Sequence, residues 1–318
     1  MTGTTLGAGG AVADATARPP GSRPSSRRRA RMRETLVGYS FAAPNLILLG
    51  VFLLYPLGLA AVLSFTRYSG FGAPEWIGIA NYAELLSDAT FWRALINTTF
   101  FTALTLLGSV GLGLAIAVLL NKALPGRALF RTIVYAPMVV SGVASGLIGV
   151  LMFDENTGVI DKGLIALGLP AIPFQSNGTA AMAAVILMTI WGRTGFNMVI
   201  YLAGLQGIGA ELYEAAELEG AGPWQRFRSI TFPLLGPSTF FLLIMNVIYS
   251  FQVFDLVFVL TGGGPGDATT MLTTYAYTNA FTTRAQGYAA AIGMVLLVLM
   301  LAFAAVQWRL NRGRDVTE

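Results

Sequence analysis

The sequence predicts an all-α membrane protein with six transmembrane helices, and three observations predict it. The 318 residues are 55% hydrophobic and only 11% charged, where an ordinary soluble domain is about a quarter charged and needs those charges to cover its surface. A mean hydropathy of +0.65 and 20 Phe agree, because side chains that face lipid need no polar cover and aromatic residues collect at the bilayer boundary. Charge-free stretches then recur along the chain at lengths that cross a bilayer. The same composition excludes most catalytic chemistry. There is no Cys and no His, so disulfides, thiolate or imidazole metal sites and the commonest general base are all absent.

The elements follow in order. Residues 1–33 are rich in Gly, Ala, Thr, Ser, Pro and Arg without hydrophobic periodicity, which predicts a disordered basic cytoplasmic tail. A cleaved secretion signal fits poorly: the apolar stretch that follows far exceeds a signal core, and no small-residue cleavage site with a soluble domain comes after it. Leu36 to Thr66 carries no charge, ample for a span of about 20 residues, with an entry turn expected around Pro44. Further charge-free stretches lie between Arg93 and Lys122, Arg131 and Asp154, Arg228 and Asp255, and Arg284 and Arg309; they predict helices two, three, five and six. Helix four is placed at about Ala180–Leu205. Arg193 interrupts it, which makes it the least regular of the six. The transmembrane domain thus covers 34–310, and 311–318 form a second cytoplasmic tail.

Six spans put both termini on one side, and the basic residues say which. Arg18, Arg23, Arg27, Arg28, Arg29, Arg31 and Arg33 all precede the first span. They explain the pI near 9.5 as a topology signal rather than a nucleic-acid-binding arm. With that tail cytoplasmic, Lys122, Arg127, Arg131, Arg226, Arg228, Arg309, Arg312 and Arg314 also fall inside, and only Arg67, Arg93, Lys162 and Arg284 outside, the bias expected of a multi-pass protein. The outer loops, about 67–90, 154–178 and 256–284, are too short for an independent domain.

The charged stretch between helices four and five runs Glu211-Leu-Tyr-Glu-Ala-Ala-Glu-Leu-Glu-Gly-Ala-Gly-Pro223 and continues to Pro233. Strong helix formers, with an acid in the first turn, predict a short exposed helix over Glu211–Glu219 that stops at Gly220 and Gly222 before Pro223. Ala215 and Ala216 leave part of it without bulk, while Glu214, Glu217 and Glu219 offer carboxylates to basic partners. The helix reads as a docking knob on the cytoplasmic side.

Glu214, Ala215, Ala216, Gly220, Ile230 and Pro233 also reproduce the spacing E-A-A-x3-G-x9-I-x-L-P, which resembles the EAA loop of binding-protein-dependent, type I ABC importer permeases. Phe232 stands where that family usually carries Leu. The resemblance covers roughly 36–310 and implies that this loop is the coupling helix, seated in a separate ATPase subunit. It implies a second, homologous permease, two ATPase subunits and an extracytoplasmic solute-binding protein as partners, in the plasma membrane of a bacterium. No Gly is followed by Lys, so a P-loop is absent. The chain then holds no cofactor, and ATP and magnesium serve the partner ATPase.

Just after helix five comes Leu260-Thr-Gly-Gly-Gly-Pro-Gly-Asp-Ala-Thr-Thr270. Gly262, Gly263, Gly264 and Pro265 predict a sharply turned outer loop. By itself this reads as a connector, but it is similar to the T-G-G-G-P loop of the carbohydrate and glycerol-phosphate branch, as are Trp191-x-Arg193-x-Gly-Phe and Leu202-Ala-Gly-Leu205. In that branch the outer loops receive the solute-binding protein. The branch implies a sugar or related polyol as cargo, with glycerol 3-phosphate or its diesters as the alternative.

Polar residues inside the spans point to the pathway. Arg193, Asn197 and Tyr201 step by four along helix four; Asn246, Tyr249 and Gln252 step by three along helix five, near Asp255. The first set shares a helix face, and all of these groups must turn to the bundle interior or to a wet cavity. Either they contact cargo, as aromatic faces and amides do with a polyol, or they bond helix to helix, with Arg193 pairing Asp255 or snorkelling. Arg193, Asn197, Tyr249 and Gln252 are the pathway candidates. An ion-coupled secondary transporter would call for mid-span carboxylates or inverted repeats, and neither is evident; a membrane enzyme would call for an acid-base or metal cluster, hard to build without His or Cys.

Overall fold

A computed structural model describes residues 24–122 and 125–311, with side chains over 37–122 and 125–309. The chain divides into two compact units at Gly58 and Leu59, and each is described by itself. The first contains α1 (Pro24–Leu49), a π-helical turn at Gly50–Leu54 and the start of α2 (Tyr55–Leu63). Two expectations change here. Residues 24–33 are helical rather than an unstructured tail, consistent with the high helix propensity of Arg and Ala and with Pro24 at the first helical position; residues 1–23 and 312–318 lie outside the described residues. Pro44 stands inside α1 rather than in an entry turn. The π turn precedes Pro56, whose ring would crowd the carbonyl four residues back in a regular helix; the Tyr55 N–H reaches back instead to the Gly50 carbonyl.

The second unit opens with a minimal hairpin, β1 (Thr66–Arg67) antiparallel to β2 (Glu75–Trp76), with Thr66 opposite Trp76. Its base is pinned by buried Asn81 of α3 (Ala80–Ser87), whose Nδ2 donates to the carbonyls of Ser64 and Thr66 at 2.8 and 2.9 Å. Asp88 then caps α4 (Ala89–Asn121): one carboxylate oxygen accepts the Thr90 and Phe91 amides at 2.8 and 3.3 Å. The other accepts the hydroxyls of Tyr275 and Tyr288. Partial burial pushes this carboxyl up, yet the two phenols and two amides outweigh it and hold it below the usual range. Burial and the same contact push the Tyr275 hydroxyl up to about 12.

The third predicted span is broken into α5 (Arg127–Val139) and α6 (Gly142–Met152), bent by 102°. Pro137 lies in the last turn of α5 and Val140 is extended. Ser141 then starts a new helix by accepting the Ala144 amide on its hydroxyl at 3.2 Å. After α7 (Val159–Ala166) comes α8 (Gly178–Gln206), the predicted fourth helix. Arg193 does not interrupt it. It is continuous, and more of it is buried than of α4.

The cytoplasmic-loop candidate holds α9 (Ala210–Leu218) and α10 (Pro223–Arg226), followed by a π turn at Phe227–Thr231 and α11 (Phe232–Leu234). A 63° bend at Leu235 separates these from α12 (Gly236–Phe251), where Pro233 and Pro237, one on either side of the bend, each lack a helical donor. The fifth span is therefore also broken. Two short helices, α13 (Asp255–Leu260) and α14 (Leu272–Tyr277), and a π turn at Thr278–Thr282 lead to α15 (Gln286–Asn311). Among the described residues, Val37–Leu63, Ala89–Asn121, Gly178–Gln206 and Gln286–Arg309 are each long and apolar enough to cross a membrane, and the two bent pairs raise four such spans to six if each counts as one.

Small residues let α4 and α5 close on α8. A Cβ on Gly113 would lie 2.5 Å from Asn197 Cβ, and one on Gly195 would lie 2.4 Å from the Val134 carbonyl oxygen. Such backbone approach is how helices associate where burial from water gives no drive. Around that contact Ala117, Met198, Tyr201, Leu202 and Leu242 form one buried cluster. Val185, Met188, Leu256 and Val257 form part of another, nearer the opposite end of α8.

Candidate functional site

The 211–233 segment folds as a hooked helix pair. α9 ends in two bonds that define a Schellman cap: the Gly220 amide donates to the Glu217 carbonyl at 3.0 Å and the Ala221 amide to the Ala216 carbonyl at 2.9 Å. This cap needs a left-handed residue at Gly220, whose φ is +80°. Gly222 precedes α10, with Pro223 at its first position. Two contacts fold α10 and the π turn after it back on α9: Arg226 pairs with Glu217 at 2.7 Å, and the Tyr213 hydroxyl meets buried Thr231 at 3.0 Å. Glu214 and Ala215 are exposed, Ala216 and Ile230 half-buried, and Gly220 and Pro233 exposed. Leu218 is 91% and Trp224 71% exposed, so apolar surface flanks the carboxylates. Tyr213 and Thr231 were not legible as partners in the sequence.

A cavity of about 360 Å³ opens where the α5–α6 break, α8 and the end of α12 meet. Three of the four pathway candidates, Arg193, Tyr249 and Gln252, line it; Asn197 does not. Asn197 is fully buried, accepts the Asn246 amide at 2.8 Å and packs over Gly113, so it joins α8 to α12 and α4. The Tyr201 hydroxyl likewise donates to Thr239 at 3.1 Å. One helix face therefore divides, its Arg193 turn opening to the cavity and its later turns binding helices together. The Arg193 guanidinium lies over the rings of Tyr249 and Phe196, 4.2 and 4.9 Å from their centroids. Its Nε donates to Asn246 Oδ1 at 3.5 Å. Among the described residues no carboxylate lies within 4.0 Å of it, so the pairing with Asp255 is not made. Asp255 nevertheless lines the same cavity. Its position beside the polar steps of helix five was the available signal for that.

The glycine loop is turned as expected, with Gly262, Gly263 and Gly266 at positive φ and a cis bond between Gly264 and Pro265. Its own threonines brace it: Thr269 Oγ1 reaches Gly264 O and Thr261 Oγ1, each at 2.8 Å, and the Thr269 amide donates to Gly263 O at 3.0 Å. Asn97 of α4 clamps it from outside, donating to the carbonyls of Asp267 and Thr270 at 2.9 and 3.1 Å. Gly264 and Pro265 also line a second cavity of about 290 Å³ with Phe153, Phe174 and Gln175. Beside it, hydrogen bonds from Thr157 hold the Asp154 carboxyl below its usual range, and those from Ser176 do the same for Glu155. Among the described residues no cluster of three or more Asp and Glu could hold a metal ion.

The model of the family described as "Binding-protein-dependent transport system inner membrane component" matches residues 108–316. The chain belongs to that family. It is a permease subunit, a transport component and not an enzyme, and a multi-pass protein of the inner membrane. The chain is 34% identical to the sn-glycerol-3-phosphate transport system permease protein UgpA of Agrobacterium fabrum, over 86% of this chain and 94% of that one. It is 35% identical to the trehalose/maltose transport system permease protein MalF of Thermococcus litoralis, over 89% and 96%. A crystal structure of a bacterial alginate ABC transporter, in complex with its alginate pentasaccharide-bound periplasmic protein, contains a chain of the same fold. The TM-score is 0.79 at 25% identity, covering 91% of this permease and 98% of that chain.

Proposed function

We propose that this permease carries a saccharide or related polyol inward through the Arg193–Tyr249–Gln252 cavity, driven by ATPase subunits that grip the 211–233 hook. One observation carries the coupling reading: the E-A-A segment forms an exposed helix whose termination is fixed by Gly220 and whose neighbour is tied back by Arg226 and Tyr213. Such a braced knob passes displacement to α8 and α12, which it joins directly in sequence. The partners are a second permease, two ATPase subunits that use ATP and magnesium, and an extracytoplasmic binding protein that docks on the glycine loop. Both termini are cytoplasmic on this reading, because Lys122, Arg127, Arg131, Arg226, Arg228 and Arg309 then fall on the inner side. The relatives named for trehalose and maltose, alginate and glycerol 3-phosphate support a cargo rich in hydroxyls.

The test is Glu214→Lys in the assembled importer. The side chain is exposed, so the chain should still fold and insert, while binding-protein-dependent uptake and the ATP hydrolysis linked to it are lost. Normal ATP-driven uptake in that variant would sink the coupling assignment.

A further inference from the structure

Resting on the pathway reading above, we propose that the edge of Arg193 is an oxyanion subsite, so that the cavity selects an acidic polyol or saccharide, bearing a phosphate or carboxylate, over its neutral counterpart. The argument is one of unmet charge. Arg193 is 8% exposed and stands in a helix that composition assigns to a span, where a cation is costly and is normally paired or in contact with water. Two rings, Tyr249 and Phe196, lie against its guanidinium at 4.2 and 4.9 Å. What remains is the edge with its five N–H donors. That edge has weak protein acceptors: Asn246 Oδ1 at 3.5 Å and the Met138 sulfur at 4.0 Å. A planar fork with rings against it and open donors is the geometry that takes a carboxylate or phosphate two-pronged.

The negative group in the same cavity lies against another helix and does not pair with Arg193. Asp255 heads α13, and a Cβ on Gly142 would lie 3.2 Å from its Oδ2. The carboxylate thus sits at the N-terminal turn of α6, where free amides and the helix dipole favour an anion. The cavity therefore holds a cation at Arg193 and, apart from it, an anion at Asp255 beside the start of α6, and the two form no ion pair. An acidic cargo would place its charge at Arg193 and rest its carbon frame on Tyr249, with the Gln252 amide in reach of hydroxyls. Asn246, itself bonded to Asn197, accepts from the guanidinium Nε and ties it to α12.

The experiment uses the complete importer in nanodiscs, without binding protein, and saturation-transfer NMR at pH 7.5. Four probes are compared: D-glucuronate against D-glucose, and sn-glycerol 3-phosphate against glycerol. The acidic member of at least one pair should show roughly a ten-fold excess in affinity, read from transfer titrated against probe concentration, as one charge-assisted contact gives. Arg193→Gln should erase that excess and Arg193→Lys retain part of it. An excess in one pair alone supports the subsite and identifies the anion as carboxylate or phosphate. Equal transfer within both pairs, or an excess that survives Arg193→Gln, overturns it. Should Arg193→Gln fail to assemble, the wild-type comparison and Arg193→Lys still decide. If Tyr249→Leu changes the transfer of none of the four probes, the pathway reading itself fails, and the subsite with it; equal, Tyr249-dependent binding of acid and neutral probes removes only the subsite.

Discussion

Replacing Gly220 by Ala tests whether the 211–233 hook works as a rigid part. The residue is exposed and a Cβ there would meet nothing within 4 Å, so the substitution causes no collision. Its whole cost lies in the backbone, because φ is +80° and an L-residue pays about 1–2 kcal/mol to hold a left-handed conformation. That strain falls on the two cap bonds, from the Gly220 amide to Glu217 and from the Ala221 amide to Ala216. A shift of about 1–2 kcal/mol changes a local opening equilibrium by a factor of roughly 5–30. Hydrogen exchange at the Gly220 and Ala221 amide positions should accelerate by that factor, while the amides of α8 keep their protection. ATP hydrolysis per transported solute should rise as coupling loosens. Gly220→Asn supplies the control, because Asn tolerates the left-handed region and should restore most of the wild-type behaviour. Unchanged exchange in Gly220→Ala, or equal damage from Asn and Ala, would refute the cap as the source of the hook's stiffness.

Other outcomes follow from single contacts. Gly195→Ala should lower stability by about 1–3 kcal/mol, because its Cβ would lie 2.4 Å from the Val134 carbonyl and 2.7 Å from Tyr135 Cα. Gly192→Ala, with nothing within 4 Å, should be neutral or gain up to about 1 kcal/mol from helix propensity; thermal unfolding in detergent compares them. Asp88→Asn should lower stability by about 1–3 kcal/mol, through weakened bonds from Tyr275, Tyr288 and the α4 amides. The Asp88 carboxyl is held below its usual range, so its contribution is complete above the unfolded value and fades only as pH falls through the folded one. The gap between wild type and Asp88→Asn should therefore be flat from about pH 5 to 8 and close below about pH 4; closure between pH 5 and 7 would contradict this. A chain without cysteine also permits a direct orientation assay: an impermeant maleimide should label Thr282→Cys in intact cells, and Glu219→Cys only after permeabilisation.

How much of this was legible depended on whether a residue's signal was its own or its neighbour's. Gly220 declared itself, since a glycine closing an acidic helix before Pro223 has one common role. The breaks at Pro137 and Leu235 were present as Pro and Gly, but long charge-free runs hid them, because hydropathy counts composition and not backbone continuity. Arg193 misled in the opposite direction. A lone charge marks a weak span by hydropathy, yet its cost is lowered by the Tyr249 and Phe196 rings and by the cavity, which no local pattern announces. Asn197 shares a helix face with Arg193, and periodicity could not say that Gly113 of another helix would cover it. Asn97, which clamps the glycine loop, is the extreme case: its partners lie far away in the chain.

The break between α5 and α6 has an effect that reaches past shape. Pro137, Val140 and Gly142 all line the cavity, and at a helix end carbonyls and amides lack helical partners. Part of the polar lining is therefore written in main-chain atoms, which every amino acid carries alike. Alanine scanning cannot delete such a contact, and a map of transport defects drawn from side chains would leave this wall blank. Sequence drift cannot erase it either. Residues around the break can be exchanged and still offer cargo the same main-chain donors and acceptors, so that substitution there tunes shape, while charge enters the cavity only through side chains such as Arg193 and Asp255.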